Sequence, residues 1–170
     1  MNTEHARGWA KAEALNNASF DVMNAEQMDF EDSTFDLIFG SGIIHHLNIE
    51  KAYSEIARVL KPGGSAIFVE PLGHNPFINA FRRKTPELRT PDEHPLLKND
   101  CQFARNYFDH VDIKFYGLTT LWAIPVIKTG IAKPLITFGK ITDKLLLKVP
   151  GLKWWAWYCL LTFSRNDNSH

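Results

Sequence analysis

The sequence carries no net charge and contains little cysteine. Its 19 lysines and arginines balance 19 aspartates and glutamates, so the composition gives no electrostatic reason to expect a nucleic-acid partner. The two cysteines, Cys101 and Cys159, stand far apart and outside any metal-ligand spacing. We interpret them as reduced thiols of a cytoplasmic protein, with a disulfide between them as the alternative.

Long apolar runs are also missing. The densest run, 154–163, is far shorter than the ~20-residue stretch that a membrane-crossing helix needs. The first residues have no apolar core of the kind that a targeting signal requires. These features predict a cytoplasmic protein that does not cross a membrane, and they leave peripheral contact with a membrane surface open.

The first half of the chain has the pattern of alternating strands and helices. Asn48 is a good N-cap, and the apolar residues after it recur at helical spacing. Lys61-Pro62-Gly63-Gly64 stops that helix, because proline cannot continue it and glycine permits a left-handed turn. The apolar runs on either side are typical of parallel strands covered on both faces. The predicted elements are helices at 3–15 and 49–60 and strands at 18–23, 35–39 and 65–70.

The second half is less regular. A proline-rich stretch at 71–98 predicts a structured loop with one short helix near 76–83. Alternation predicts a strand at 111–116, and the apolar segment 154–163 predicts a last strand. Prolines and a glycine interrupt the apolar stretch 118–147, which favours short broken helices there. A helix is also predicted at 100–108.

A glycine turn, Gly40-Ser41-Gly42, follows the predicted strand 35–39. Glycines at the carboxyl edge of an α/β sheet let a ligand approach the backbone, although two glycines also make a plain tight turn. A dinucleotide fingerprint is one alternative, with Glu70 as the ribose-binding acid. His45 stands at its third glycine position and Glu70 lies 28 residues after Gly42, beyond the usual spacing of about 20. Both features disfavour that alternative.

The order of motifs through the first half resembles the class I S-adenosylmethionine-dependent methyltransferases, in the branch called methyltransferase type 11. The motifs are Met23-Asn24-Ala25-Glu26, the stretch 30–38, His45-His46-Leu47, Leu60-Lys61-Pro62-Gly63-Gly64 and Glu70-Pro71. The resemblance covers about residues 3–116. It implies a Rossmann-like α/β sheet, mostly parallel, with an antiparallel C-terminal hairpin, and S-adenosylmethionine as the cofactor.

The resemblance also implies site residues. Asn24 matches the family's acidic residue that hydrogen-bonds the adenine amino group, with Ala25 beside it. The side-chain carbonyl oxygen of Asn24 can accept a hydrogen bond, as the acidic residue does, but it carries no negative charge. The turn Gly40, Ser41 and Gly42 would lie against the methionine part of the cofactor. Residues 43–46 would face the cofactor or the substrate, with Ile43 among the cofactor-binding residues. On the substrate side, the implied residues are Glu70 and the loop after it with His74 and Asn75.

Three histidines near the predicted ligand edge are candidate general bases. They are His45, His46 and His74, and histidine is suited to this role because it titrates near neutrality. The alternative is that these rings only hydrogen-bond loop backbone. A metal site is not expected, because adjacent histidines point in different directions and no acidic or cysteine spacing supports ligation.

The sequence departs from the family at its beginning. The family's glycine-rich cofactor loop follows its first strand, but Gly8 is the one glycine in residues 1–39. The resemblance therefore implies a chain that starts one βαβ unit late. In the family order 3-2-1-4-5-7-6, a sheet without strands one and two leaves the strand at 35–39 with an exposed edge. We expect methyl transfer to a small, lipophilic molecule, with a non-catalytic remnant or binding module as the alternative and a dinucleotide-dependent oxidoreductase as a lesser one.

The remaining predictions concern substrate contacts. Arg82, Arg83 and Arg89 are candidates for an anionic substrate, or else ordinary surface charges. The segment 118–163 is rich in aromatic residues and interleaved lysines, which suits a lid over an apolar substrate or a shallow membrane contact. We divide the single domain into a core at 1–117, an apolar helical insertion or lid at 118–150, and a last strand and tail at 151–170. The expected partner is a small-molecule substrate.

Overall fold

A computed structural model describes residues 3–90 and 92–167, apart from the side chain of Leu88. Four strands and five α-helices form the described fold, joined by short 3-10 turns. The helices are α1 (Thr3–Ala12), α2 (Ile49–Val59), α3 (Pro76–Lys84), α4 (Lys98–Phe103) and α5 (Ala132–Leu146). The strands are β1 (Phe35–Ser41), β2 (Leu60–Pro71), β3 (His110–Tyr116) and β4 (Tyr158–Ser164).

The sheet has the order β1-β2-β4-β3. Strands β1 and β2 are parallel, with α2 between them in the chain, so the predicted βαβ unit is confirmed. Strand β4 lies between β2 and β3 and runs antiparallel to both. The mixed α/β sheet with antiparallel C-terminal strands is therefore also confirmed, and its order matches the 4-5-7-6 part of the expected family order.

Helix α2 begins where the sequence predicts. The side chain of Asn48 accepts a hydrogen bond from the Lys51 N–H at 3.1 Å, which satisfies one of the free donors of the first turn. The helix ends at Val59, and the chain passes directly into β2. Residues 61–64 form an irregularity in the parallel pairing, because Phe35 pairs with Leu60 and Leu37 next pairs with Ser65. The strand therefore starts earlier than the predicted Ser65.

Aromatic side chains fill the core between the sheet and α2. The buried ring of Phe163 on β4 stacks on Phe108 at 4.7 Å between centroids, meets Tyr53 of α2 edge-on at 5.3 Å, and lies 5.9 Å from Phe68 of β2. Aromatic pairs in these geometries stabilise a core beyond their buried area. The last strand thus joins the helix and the sheet in one core.

Strand β1 forms the edge of the described sheet. Within the described sheet it pairs on one side only, with β2, as expected for this strand. Leu37 and Phe39 lie on the same face and are 59% and 68% exposed, so the described elements leave that face uncovered. The predicted strand at 18–23 is wrong, since these residues have no regular structure. Strand propensity reports how a side chain fits a neighbouring strand, and within the described chain this segment pairs with none.

The stretch 118–147 contains two helical pieces, as predicted: a 3-10 helix at Thr120–Val126, followed by α5. Asp143 of α5 is buried and joins them. Its carboxylate accepts from the N–H of Leu118 at 3.2 Å and from the N–H and hydroxyl of Thr119 at 2.7 and 2.6 Å. The predicted last strand is shorter than 154–163, because Leu152–Trp155 forms a 3-10 turn before β4.

A charged cluster fastens the segment 28–32 to α2. The Arg58 guanidinium donates to the carbonyl oxygens of Met28 and Phe30 at 2.9 and 2.7 Å, and it pairs with Glu55 at 2.6 Å. The Glu55 carboxylate also accepts from the Met28 N–H at 2.6 Å. The hydrogen bond from Arg58 holds the pKa of Glu55 below its usual range.

We expect Glu55→Gln to lower the free energy of unfolding by about 1–2 kcal/mol at pH 7. A carboxylate with a lowered pKa in the folded state stabilises the protein above its ordinary pKa, and the contribution is lost as the pH falls through the folded value. The difference between wild type and variant should therefore shrink below about pH 4. Urea unfolding at pH 7, 5 and 3.5 measures it, with the exposed Glu50→Gln as the matched control on the same helix. An equal difference at all three pH values would contradict this assignment.

Candidate functional site

The carboxyl ends of β1 and β2 meet at one edge of the sheet, the edge where open α/β sheets bind their ligands. The chain leaves β1 at Gly42 and forms a 3-10 turn at Ile44–His46. Strand β2 ends at Glu70 and Pro71, directly beside this turn. Strand β4 brings its first residue to the same edge, because Tyr158 pairs antiparallel with Pro71.

Glu70 is the buried anchor of this edge, with an exposed fraction of 0%. Its carboxylate accepts hydrogen bonds from the N–H groups of Ile43 and Ile44 at 3.0 and 2.9 Å, and from the His45 N–H at 3.4 Å. The same carboxylate meets the His45 Nδ1 at 2.7 Å. Charge-assisted bonds of this kind fix the turn that follows β1.

The bond to Glu70 also sets the orientation of the His45 ring. A carboxylate only accepts hydrogen bonds, so Nδ1 carries the proton and Nε2 of the neutral ring keeps its lone pair. The His45 carbonyl oxygen accepts from the His94 N–H at 2.9 Å, which ties the later loop to the same turn. The Glu70 carboxylate thus fixes the orientation of the His45 ring at this edge.

His45 lies on the wall of a cavity of about 330 Å³. Its polar lining comes from the sheet edge, from α3 and from the loop after α3. Apolar side chains complete the wall. The polar lining residues besides His45 are Ser41, Arg82, Thr85, Arg89, Glu93 and Tyr158, and the apolar ones include Val69, Pro71, Ile78, Phe81 and Trp157.

The glycine turn is closely packed on one side and open on the other. A side chain at Gly40 would meet the Phe68 ring at 2.5 Å, so only glycine fits there without a shift. Gly42 has φ +63°, a conformation that favours glycine, and its N–H donates to the Val69 carbonyl at 2.9 Å. Ser41 and Gly42 line the cavity. Backbone is therefore accessible to a ligand at the position that the sequence predicts.

The predicted adenine position lies in a separate turn. The Asn24 side-chain oxygen accepts a hydrogen bond from the Glu26 N–H at 3.0 Å. The Asn24 backbone carbonyl oxygen accepts from the Gln27 N–H at 3.1 Å. Glu26 in turn accepts from the Asn48 N–H at 2.8 Å, which fastens this turn to the start of α2. Asn24 is exposed and Ala25 is half-buried. One lone pair of the Asn24 side-chain oxygen is thus already used locally.

Two predicted substrate-side residues occupy other positions. Glu70 was expected to border the substrate cavity, but it lies buried behind His45, and its hydrogen bonds hold the turn instead. Full burial also removes it as a ribose-binding acid. Asn75 is buried as the N-cap of α3, where it accepts from the Phe77 and Ile78 N–H groups and donates to the Trp155 carbonyl.

The other two candidate bases have different surroundings from His45. The His46 Nδ1 lies 3.0 Å from the Asp92 carboxylate, on the more exposed side of the turn. The His74 Nε2 accepts from the Lys98 N–H at 2.9 Å, so the lone pair of its neutral ring is occupied. Neither ring lines the cavity that holds His45. The structure therefore separates three histidines that the sequence treats alike.

No residue-level prediction placed Glu93, Trp157 or Tyr158 on this cavity, although the last two belong to the aromatic segment 118–163 that suits a lid over an apolar substrate. A signal for the last two was present, because the first residues of an antiparallel strand beside β2 must lie at the carboxyl end of β2. Within the described residues, no group of three histidine, cysteine or acidic side chains is placed to hold a metal ion. No helix in the described ranges is long and apolar enough to span a membrane.

Comparison with known proteins places this geometry in a family. The methyltransferase domain family matches residues 2–68. The uncharacterised methyltransferase YcgJ of Bacillus subtilis is 30% identical over 120 residues, which cover 68% of this chain and 47% of that protein. The chain spans less than half the length of the curated relatives it matches.

Solved structures show the same fold. Phosphoethanolamine N-methyltransferase 2 of Haemonchus contortus, in complex with phosphomonomethylethanolamine and S-adenosylhomocysteine, aligns with a TM-score of 0.64 at 18% identity. That alignment covers 95% of this chain and 40% of the other. Geranyl diphosphate C-methyltransferase of Streptomyces coelicolor aligns with a TM-score of 0.63 at 13% identity, covering 96% and 60% of the two chains. Residues 2–68 thus match the methyltransferase domain family, and the fold of the chain is that of the class I S-adenosylmethionine-dependent methyltransferases.

Proposed function

We propose that this chain takes part in the transfer of a methyl group from S-adenosylmethionine to a small molecule with a lipophilic part. The observation that carries the proposal is the meeting of two features on one cavity wall. The open glycine turn Ser41–Gly42 and the oriented base His45 lie side by side on the wall. Glu70 holds the His45 ring and the backbone that follows Gly42. Several structural relatives are methyltransferases in complex with this cofactor or its demethylated product.

The residues present fit the methionine end of the cofactor. A side chain at position 42 would lie 3.7 Å from the His45 Cε1, in space that a ligand can use, and φ +63° keeps the Gly42 backbone bare. Ser41 adds a hydroxyl that can donate or accept a hydrogen bond. When bound, S-adenosylmethionine supplies an activated methyl group on a positively charged sulfur. Asn24 is the proposed adenine contact, through the remaining lone pair of its side-chain oxygen.

His45 acts on the substrate side of the same wall. An oxygen or nitrogen nucleophile must lose a proton, and the free Nε2 of His45 is placed to accept it. Glu70 holds the ring and stabilises it once it carries the second proton, in the way that a buried acid orients a catalytic histidine elsewhere. The apolar wall of Ile78, Phe81 and Trp157 favours a lipophilic substrate.

The segment 118–150 is the proposed lid. Its 3-10 helix carries Leu121, Trp122 and Ile124, which line an apolar groove of about 490 Å³. This groove shares Ile78, Phe81 and Trp157 with the cavity that holds His45. Within this segment, the Asp143 carboxylate of α5 accepts hydrogen bonds from the N–H groups of Leu118 and Thr119, so the start of the segment and α5 are held together as one unit. Movement of this unit would open or close the apolar part of the substrate site.

Binding of the cofactor tests the proposal directly. We expect titration calorimetry to detect S-adenosylhomocysteine binding at submillimolar concentration, and Gly42→Val to weaken it at least about tenfold, because a β-branched residue is strained at positive φ and fills the open side. Gly8→Ala is the matched control, since a side chain there meets nothing within 4 Å. Absence of heat at millimolar ligand would overturn the proposal for this chain.

A further inference from the structure

We propose that the cavity beside His45 binds the anionic head group of an amphipathic substrate, with Arg82 and Arg89 as its ligands and the apolar groove holding the hydrocarbon part. The head group is an oxygen anion of the phosphate or carboxylate type. This inference rests on the proposed function, because it names the substrate class of the same site. Nothing in the fold itself requires two guanidinium groups on this wall.

Arg82 supplies one of the two guanidinium groups on this wall. It lies in the last turn of α3, and its Nη1 donates to the Leu72 carbonyl oxygen at 3.0 Å and to the Asn79 side-chain oxygen at 3.1 Å. Neutral acceptors alone thus hold this guanidinium in place. Among the residues that the structure describes, no carboxylate lies within ion-pair distance of it. Burial, together with the nearby Arg89, lowers the pKa of Arg82, and the nearby Glu93 offsets this lowering in part. Arginine remains charged at neutral pH.

A half-buried cation held only by neutral groups is costly unless an opposite charge joins it. Arg89 adds a second guanidinium to the same wall. It pairs with Glu93 at 3.0 Å, and both side chains are largely buried, with exposed fractions of 22% and 15%. Glu93 is the one acid among the described lining residues, so the wall itself presents two guanidinium groups and one carboxylate. The Glu70 carboxylate lies behind His45, and its hydrogen bonds are to that ring and to backbone N–H groups, so it does not pair with either arginine. An anionic ligand would give Arg82 a partner of opposite charge.

Neutral donors complete the polar end. Ser41 and Tyr158 line the same cavity, and hydroxyls beside arginine are common ligands of phosphate and carboxylate oxygens. The Thr85 hydroxyl is not among these donors, because it donates to the Phe81 carbonyl oxygen at 3.0 Å. His45 borders this end, so a bound head group would lie near the proposed base. Arg83, the neighbour of Arg82 in sequence, is exposed and does not line the cavity, so it is not part of this site.

The apolar groove determines the second part of the substrate, which is a hydrocarbon tail. Ile78, Phe81 and Trp157 are shared by the cavity and the groove under the 3-10 helix, so the two spaces adjoin. The groove is lined by Phe77, Leu121, Trp122, Ile124 and Pro125 beside the shared residues. A charged head at the arginines would therefore continue into a hydrocarbon tail without crossing a polar barrier. Such a molecule is an amphiphile of small or moderate length.

Calorimetry with octyl phosphate, octanol and inorganic phosphate tests the inference on the chain without S-adenosylmethionine. We expect octyl phosphate to bind roughly tenfold more tightly than octanol and than inorganic phosphate, because only it fills both ends. Arg82→Gln should reduce the preference over octanol to about threefold or less, and the exposed neighbour Arg83→Gln should keep it. Glu93→Gln should tighten octyl phosphate binding several-fold, since it frees Arg89 from its internal partner.

Equal affinity of the wild type for octyl phosphate and octanol would overturn the inference, as would equal losses in Arg82→Gln and Arg83→Gln. Should Arg82→Gln fail to fold, Glu93→Gln and Arg89→Gln decide, because an anion site requires them to change affinity in opposite directions. The assay contains no cofactor and no methyl transfer. Failure of this inference is therefore distinguishable from failure of cofactor binding, which the Gly42→Val titration measures separately.

Discussion

Replacing Glu70 with glutamine is expected to lower the free energy of unfolding by about 3 kcal/mol and to weaken S-adenosylhomocysteine binding at least about tenfold. The carboxylate is fully buried and accepts from the backbone of Ile43, Ile44 and His45 as well as from the His45 ring. Glutamine has one acceptor oxygen, and its NH₂ group would face donors that need an acceptor. The turn after β1 would then lose both its charge-assisted bonds and its fixed position.

Urea unfolding measures the first effect and titration calorimetry measures the second. Glu87→Gln, on the exposed turn after α3, is the control and should leave both quantities within error. A Glu70→Gln protein within about 0.5 kcal/mol of wild type would show that the hydrogen bonds to this carboxylate contribute little. The role assigned to Glu70 would then have to be abandoned.

Replacing His45 with glutamine is expected to lower the rate of methyl transfer by about 100-fold or more. Glutamine can still hydrogen-bond Glu70, but it has no group that accepts the proton of the nucleophile. Binding of S-adenosylhomocysteine should change by less than about threefold, because Glu70 keeps its backbone partners. The loss should shrink as the pH rises, since the acceptor then loses its proton without a base.

The measurement is transfer of a labelled methyl group to a panel of hydroxyl- and amine-bearing amphiphiles between pH 6 and pH 10. His46→Gln is the matched control, because that ring bonds Asp92 and does not line the cavity. Wild-type rates in the His45 variant, or an equal loss in both variants at every pH, would mean that His45 only supports the turn. Either result would remove the proposed base.

Local sequence signals explain much of the fold. The Asn48 cap, the Pro-Gly-Gly stretch 61–64 and the apolar runs around it are set by residues close together in the chain, and α2, β1 and β2 follow from them. The stretch 61–64 ends the helix as predicted, but it lies within β2 and forms no separate turn. The segment 18–23 shows where this reasoning ends. Its side chains suit a strand, but a strand requires a neighbour with which to pair, and the described chain provides none at that position.

The site was less predictable than the fold, because its contacts join distant parts of the chain. Glu70 reaches backbone groups 25 to 27 residues away, and no spacing rule distinguishes such an anchor from a ligand-binding acid. Arg82 and Arg83 are adjacent in sequence and look equivalent. Only the turn of α3 places one of them on the cavity wall and leaves the other exposed.

The position of β4 has a consequence for the way this sheet forms. The last strand of the chain occupies an interior place, and its Ser164 pairs with Ser65 of β2 on one side and with His110 of β3 on the other. Pairings this distant in sequence form slowly, because a long loop must close before they contribute. Within the described sheet β2 and β3 do not pair with each other, so they join one sheet only through β4. The aromatic core around Phe163 forms with that step, because Phe163 lies on β4 and contacts Phe108, Tyr53 and Phe68.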